Sequence, residues 1–416
     1  MIRNKLLPYV ISGLSACALA VQGQAQVKKE EVLSALNGCA RYVADVILDK
    51  EGKSRCDYNL TEGKWYDYEV PWHTGQAVYS LLAAYKITSN KKYLDAAVRG
   101  GNYWISMKAT EKDPPALKGM VKATHGDFIG GENIIFATIS DGTPGIYELT
   151  RVTKNKKYAA VATSAAAWME KNMYYPEEGV CYDVVDIKTG EVAKENSPFW
   201  DKANQTLNDV SRPNTEGWLF KDAYEFSGEE KFKKAFLLLC NSLVDKQGPE
   251  GLWMKYMPNF DSIGSFHPRF NLWYAESLLE AYDMTQDRRY LEAAAKTART
   301  YAKAMQKDGT IYYENFINGH EPDRSSVCGS AVAFSGIVWI RLAKQGYSEF
   351  IPYIEKSVQW ILKNRYADDH PDVNLRGAVL ETRARSKNKK IWLVNRDIST
   401  SFSVRFLADY LNYKFK

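Results

Sequence analysis

The chain has 416 residues, 45% hydrophobic and 25% charged, an ordinary globular composition that excludes a disordered, collagen-like or small disulfide-stapled protein. Its 55 Lys and Arg against 50 Asp and Glu leave a net +5 with no basic stripe, so nucleic acid is excluded as a partner. Aromatic residues make up 13% of the chain; most must pack, but flat apolar faces with polar edges also suit sugar rings.

Arg3 and Lys5 precede an apolar run from Leu6 to Val21, and Gly23-Gln24-Ala25 offers a small-residue cleavage site. Residues 1–25 therefore read as a secretory signal peptide, with the periplasm as the expected destination. Leu14-Ser15-Ala16-Cys17 offers an alternative, a lipoprotein tethered to a membrane through acylated Cys17. No later stretch reaches the ~20 apolar residues of a spanning helix. Residues 26–416 are expected to form a single domain. Cys39, Cys56, Cys181, Cys240 and Cys328 are odd in number and lack C-x-x-C spacing, which leaves room for one disulfide but signals no framework. The histidines never occur as H-x-x-x-H, and Gly130-Gly131-Glu132 is no phosphate loop, so neither a metal nor a cofactor is expected.

Further along, one pattern recurs. Ala84 to Tyr93 (AYKITSNKKY) aligns with Leu149 to Tyr158, Ala223 to Phe232 and Ala281 to Tyr290, with a weaker copy at Ala343 to Phe350. Each reads as a helix end, a tight link and a helix start, with Asn, Asp or Glu placed to satisfy the first amides of the second helix. After a link the helix carries one polar stripe: Leu291, Ala294, Ala298, Tyr301 and Met305 alternate with Glu292, Lys296, Arg299 and Lys303. Before a link it is apolar on several faces, as in Ser330 to Ala343. Outer helices are thus predicted near 29–48, 91–107, 155–172, 229–244, 288–305 and 348–364. Inner helices are predicted near 72–87, 142–153, 214–226, 269–284, 326–343 and 398–413. Alternating inner and outer helices make an all-α closed double ring, an (α/α)6 barrel. Connections from outer to inner helices, such as 108–140 and 173–213, far exceed the usual ~2–8 residues. In such a ring they share one rim, where binding and catalysis are expected.

The alternating hairpins and the A-Y-x-x-T-x-[ND]-x-[KR]-Y links resemble the six-hairpin, (α/α)6-toroid glycosidases of polysaccharide-degrading bacteria. Within that group, Ile139-Ser140-Asp141 at the mouth of an inner helix is similar to the unsaturated glucuronyl and galacturonyl hydrolases of glycoside hydrolase families 88 and 105. The resemblance implies that Asp141 serves as general acid/base. Gly142-Thr143-Pro144-Gly145 replaces the bulkier residues those families carry there, and the layout also resembles the exo-β-glucuronidases of family 154.

Four of the inner-helix entrances carry an arginine: Arg212, Arg269, Arg324 and Arg396. Helix N-termini favour anions, and guanidinium groups pair with carboxylates in a fork, so an acidic sugar fits better than a neutral one. The structural alternative is that each arginine pairs with a neighbouring acid. Asp141 and Glu216 are the candidate catalytic carboxylates, with capping roles as their alternatives. Substrate contacts are expected from His73, Gln76, His125, Asp127, Arg212, Trp218, His267, Arg269 and Arg324. The function these residues point to is a secreted glycoside hydrolase that removes a terminal uronic acid, β-glucuronic acid first, from an acidic oligosaccharide or polysaccharide. A hydrolase of unsaturated uronides, and a uronate epimerase or polysaccharide lyase on the same toroid, are the alternatives.

Overall fold

A computed structural model describes residues 27–66, 68–124, 133–198, 202–387 and 390–416. The expected signal peptide and Cys17, His125 and Asp127 lie outside these residues. Among them no helix is long and apolar enough to cross a membrane.

The links explain the helix order. In each of the four strong copies a Thr or Ser hydroxyl donates to the carbonyl one turn back: Thr88 to Ala84, Thr153 to Leu149, Ser227 to Ala223 and Thr285 to Ala281, at 2.6–2.8 Å. The same oxygen accepts the amide two residues on, from Asn90, Asn155, Glu229 and Asp287. One left-handed residue intervenes in each case, Ser89, Lys154, Gly228 or Gln286. The hydroxyl thereby ends one helix and aims the chain into the next. Asn90, Asn155 and Asp287 then cap the new helix by accepting the amides of Lys92, Lys157 and Arg289. The closing tyrosines reach back to an asparagine on the preceding outer helix: Tyr93 to Asn37, Tyr158 to Asn102 and Tyr290 to Asn241, at 2.9–3.0 Å. Phe232 occupies that place in the third link without a hydroxyl.

The resulting outer helices are α1 (Lys29–Tyr42), α3 (Lys91–Ser106), α6 (Lys157–Asn172), α9 (Glu230–Lys246), α11 (Arg288–Ala304) and α13 (Ile351–Lys363). The inner ones are α2 (Val70–Thr88), α5 (Thr143–Thr153) with the short α4 (Phe136–Ser140) before it, α8 (Leu219–Ser227), α10 (Phe270–Thr285), α12 (Gly329–Lys344) and α14 (Ile398–Lys414). A four-residue helix, α7 (Leu207–Val210), lies in the crossover before α8. Contacts of α14 with both α12 and α2 close the inner ring. Every residue from Gly329 to Ile340 is buried, as the position of α12 between the axis and the outer ring requires. Trp273 meets Trp72, Phe334 and Phe402 edge-on, and these rings plug the middle of the axis.

Two departures from the sequence expectation matter for the site. The long crossovers are not bare loops; among the described residues they pair into four small antiparallel sheets, of which 382–387, 390–396, 57–59 and 64–66 form one in that order. The third inner helix starts at Leu219 rather than 214, because Gly217 (φ +66°) and Trp218 (φ +42°) are left-handed and break it. The five cysteines are buried and unpaired, so the disulfide left open by their number is absent among the described residues.

Candidate active site

One rim holds a cavity of about 310 Å³. Its lining comes from the entrances to α2, α5, α8, α10 and α14, together with Arg383 on the strand Thr382–Lys387. Trp72 and Trp273, part of the aromatic plug, also line it.

Asp141 and Glu216 meet on one side. Gly217 makes this approach feasible, since a Cβ there would lie 2.0 Å from the Ser140 carbonyl oxygen and 3.0 Å from the Asp141 Cα. On its far side the α4–α5 junction lies as closely on α2, where a Cβ on Gly75 would fall 2.2 Å from the Gly142 carbonyl oxygen. This contact accounts for the small residues that follow Asp141. Both carboxyls are buried, and Asp141 Oδ1 and Glu216 Oε2 have no hydrogen-bond partner among the described residues. Burial, and then the charge of Glu216, push Asp141 well above the usual carboxylate range. Burial likewise lifts Glu216 to about 7 against the pull of Arg212, whose Nη2 stands 3.4 Å from Glu216 Oε1. Two adjacent buried carboxyls cannot both ionise cheaply, so the pair holds a proton near neutral pH.

The arginines are held by acids, as their structural alternative supposed, yet three of the four still line the cavity. Arg212 Nε donates to Asp183 at 3.1 Å, Arg269 Nη1 to Glu381 at 3.0 Å, and Arg396 Nε to Asp57 at 2.9 Å. Asp57 and Arg396 are register partners on neighbouring strands, which presents the guanidinium to its acid. Arg383 lies over the Tyr313 ring, 5.1 Å from its centroid. His267 reports the local potential. Burial, and then the charges of Arg269, Arg383 and Arg396, hold it well below the ordinary imidazole value. Its Nδ1 accepts the amides of Arg269 and Phe270, so the neutral ring carries its proton on Nε2. His267 is therefore a fixed donor in a positive region.

The remaining expected residues are placed differently. His73 is fully buried behind the lining, its Nδ1 against Asp397 and its Nε2 3.2 Å from Arg396 Nη2. Burial opposes its charged form, but Asp397 outweighs it and raises the ring to about 9. Asp57, His73 and Asp397 come close enough together to resemble a metal site, but the Arg396 guanidinium already sits among them. Gln76 is buried and donates to the Asp141 carbonyl instead of facing the cavity. Trp218 corrects the expectation of a sugar contact here: the left-handed turn sends it to a separate cavity at the opposite pole, lined by Tyr79, Glu276 and Arg405 among others. Arg324 is a second correction. It projects from an exposed hairpin strand and pairs with Glu321 at 3.0 Å, outside the cavity lining.

No protein-family model and no curated protein matches the chain. Solved structures do. A heparin-specific unsaturated glucuronyl hydrolase aligns at a TM-score of 0.66 and 13% identity, covering 93% of this chain and 98% of its own. A possible member of glycoside hydrolase family 105 from Klebsiella pneumoniae aligns at 0.63 and 13%, over 98% and 100%. A sugar epimerase from a ruminal bacterium aligns at 0.68 and 13%, over 93% and 99%. The chain has the fold of the six-hairpin toroid enzymes. At such low identity the likeness fixes the architecture and leaves the reaction to the site.

Sequence reasoning missed two charged residues of the described lining. Glu69 precedes α2 in a left-handed conformation (φ +51°) and stands 3.4 Å from Arg396 Nη2; its only signal was the i, i+4 spacing to His73. Arg383 sits on a strand inside a segment read as connection, and nothing in the pattern singled it out.

Proposed function

We propose that the chain is a glycoside hydrolase that releases a terminal uronic acid, β-glucuronic acid first, from an acidic glycan. The observation that carries this reading is the pairing, in one cavity, of two buried carboxyls that retain a proton with a positive region around His267, Arg269, Arg383 and Arg396. Glycosidic cleavage needs one group to protonate the leaving oxygen and another to activate water or attack the anomeric carbon. The protonated member of the Asp141 and Glu216 pair supplies the first function and the ionised member the second. The sugar carboxylate docks on the arginine side, where guanidinium forks and the His267 Nε2–H converge. Trp72 and Trp273 offer the floor on which a pyranose can stack.

One further form of this reading has specific support. A single raised acid suffices to protonate the enol ether of an unsaturated uronide, and the fold likeness includes a protein named for that activity. Proton abstraction from carbon, as an epimerase or lyase requires, fits His267 poorly, because its acceptor nitrogen already takes two amides.

Incubation with matched saturated and unsaturated glucuronides, neutral glycosides and longer oligouronides tests the proposal. Release of the monosaccharide is expected. New ultraviolet-absorbing ends, or altered stereochemistry in an uncut chain, would replace the hydrolase with a lyase or an epimerase. Arg269→Ala is expected to weaken uronide binding and spare neutral glycosides; equal loss on both would reduce Arg269 to a structural part.

A further inference from the structure

Buried polar side chains from three inner helices link in series to the backbone of Asp141. Gln76 on α2 donates from Nε2 to the Asp141 carbonyl oxygen. Its Oε1 accepts from Arg405 Nη1 on α14 at 3.2 Å, and Arg405 Nη2 donates to Glu276 Oε1 on α10 at 2.7 Å. Gln76, Arg405 and Glu276 are 0%, 5% and 2% exposed. The orientation of the amide is unambiguous. A guanidinium only donates, so Gln76 must turn its oxygen to Arg405 and its NH2 to the carbonyl. The Arg405 guanidinium is further held over the Tyr79 and Phe402 rings, at 4.4 and 5.1 Å from their centroids.

The carbonyl it reaches lies at a break between two helices. Asp141 stands between the end of α4 and the start of α5, where the glycine backbone packs closely on α2 at Gly75. The Asp141 carboxyl, with Oδ1 unpartnered, carries no side-chain anchor of its own at that atom.

We infer that Gln76, Arg405 and Glu276 form a positioning chain that sets the Asp141 backbone, and through it the direction of the Asp141 carboxyl, in the site proposed above. The three residues touch neither the cavity nor a substrate within it; they act through Asp141. The chain rests on the hydrolase reading for its kinetic consequence and on geometry alone for its structural one.

The test uses three variants of the whole protein: Gln76→Met, the paired Arg405→Met/Glu276→Met, and all three changes together. Removing Arg405 and Glu276 together deletes both members of the buried ion pair, and Asp409, whose charge Arg405 also offsets, keeps Lys344 and Arg341 nearby, so the fold stays accessible. On a uronide released by the wild type, Gln76→Met is expected to lower kcat about tenfold or more with KM nearly unchanged, since misplacement of a reacting group acts on turnover. The paired variant should fall to a similar kcat, and the triple variant no further, because links of one chain are not additive. Losses that multiply in the triple variant, or a wild-type kcat in Gln76→Met, overturn the inference. Hydrogen exchange read by mass spectrometry gives the arm independent of activity. Faster exchange confined to the peptide spanning 136–145 is expected in both the Gln76 and the paired variants. Unchanged exchange there overturns the positioning role. If the wild type releases no uronic acid at all, the hydrolase reading falls, and the exchange data alone decide the chain.

Discussion

Glu216→Gln separates the electrostatic account of the site from its catalytic use. Burial raises the Glu216 carboxyl from 4.5 to about 7. A group raised on folding stabilises the folded chain below its ordinary value and loses that contribution as the pH climbs through the raised one. At pH 4 the folded and unfolded chains both hold the proton. At pH 8 the unfolded chain has given it up freely, whereas the folded chain must keep a carboxylate in a buried site. At ~1.4 kcal/mol per pH unit, the folded state is weaker at pH 8 by roughly 3 kcal/mol on account of this group. Glutamine keeps the shape and removes the titration, so its effect on stability should differ between the two pH values by about that amount. The unfolding entropy of a chain this size is on the order of 0.8 kcal/mol per kelvin, so the difference corresponds to roughly 4 °C in Tm. Thermal unfolding of both proteins at pH 4 and pH 8 measures it, and the shape change cancels in the comparison. Because Asp141 shares the site, its own titration moves down in the variant as the neighbouring charge disappears. A Tm difference that is the same at both pH values would refute the claim that Glu216 is held protonated by burial.

Other substitutions probe the remaining parts. Asp141→Asn should cut turnover by about 10²–10⁴-fold with the fold retained; near wild-type turnover in that variant would remove Asp141 from the chemistry. Gly217→Ala places a methyl group 2.0 Å from the Ser140 carbonyl oxygen and forces a left-handed φ on a residue with a side chain. It should lower both Tm and kcat, and an unaltered kcat would show that the close approach of the two carboxyls is not needed. Arg324→Ala should leave Tm and uronide kinetics alike, since its partner is the exposed Glu321; weaker uronide binding would bring that hairpin into the site.

The helix order was legible in the sequence because its determinants are local. A threonine or serine that ends one helix, a left-handed residue and an asparagine or aspartate that starts the next all lie within one link, and three of the four strong links add a tyrosine tied to the previous outer helix. Repetition of such a unit needs no knowledge of distant contacts. The small rim sheets left no comparable trace. Strands such as Asp57–Asn59 and Lys64–Tyr66 are too short for an alternating pattern, and some of the pairings join segments far apart in the chain, as when Tyr58 faces Asn395.

The site was legible as a location more than as a set of side chains, and the reason is the direction each entrance gives its residues. Counting links places Asp141, Arg212, Glu216, His267, Arg269 and Arg396 at inner-helix mouths, and all of them line the cavity. Direction depends on backbone turns that residue type does not announce. Two left-handed residues swing Trp218 to the opposite pole, and a hairpin carries Arg324 into solvent. One left-handed residue, Glu69, brings an unexpected acid to the cavity. Gln76 lies within two turns of the mouth of α2 yet faces the Asp141 carbonyl, because Arg405 on α14, 329 residues away in sequence, claims its oxygen. A buried polar residue takes its orientation from whichever distant donor or acceptor satisfies it. Residues expected to touch substrate can therefore end up supporting the groups that do, and in this toroid the axis is where that exchange of roles occurs.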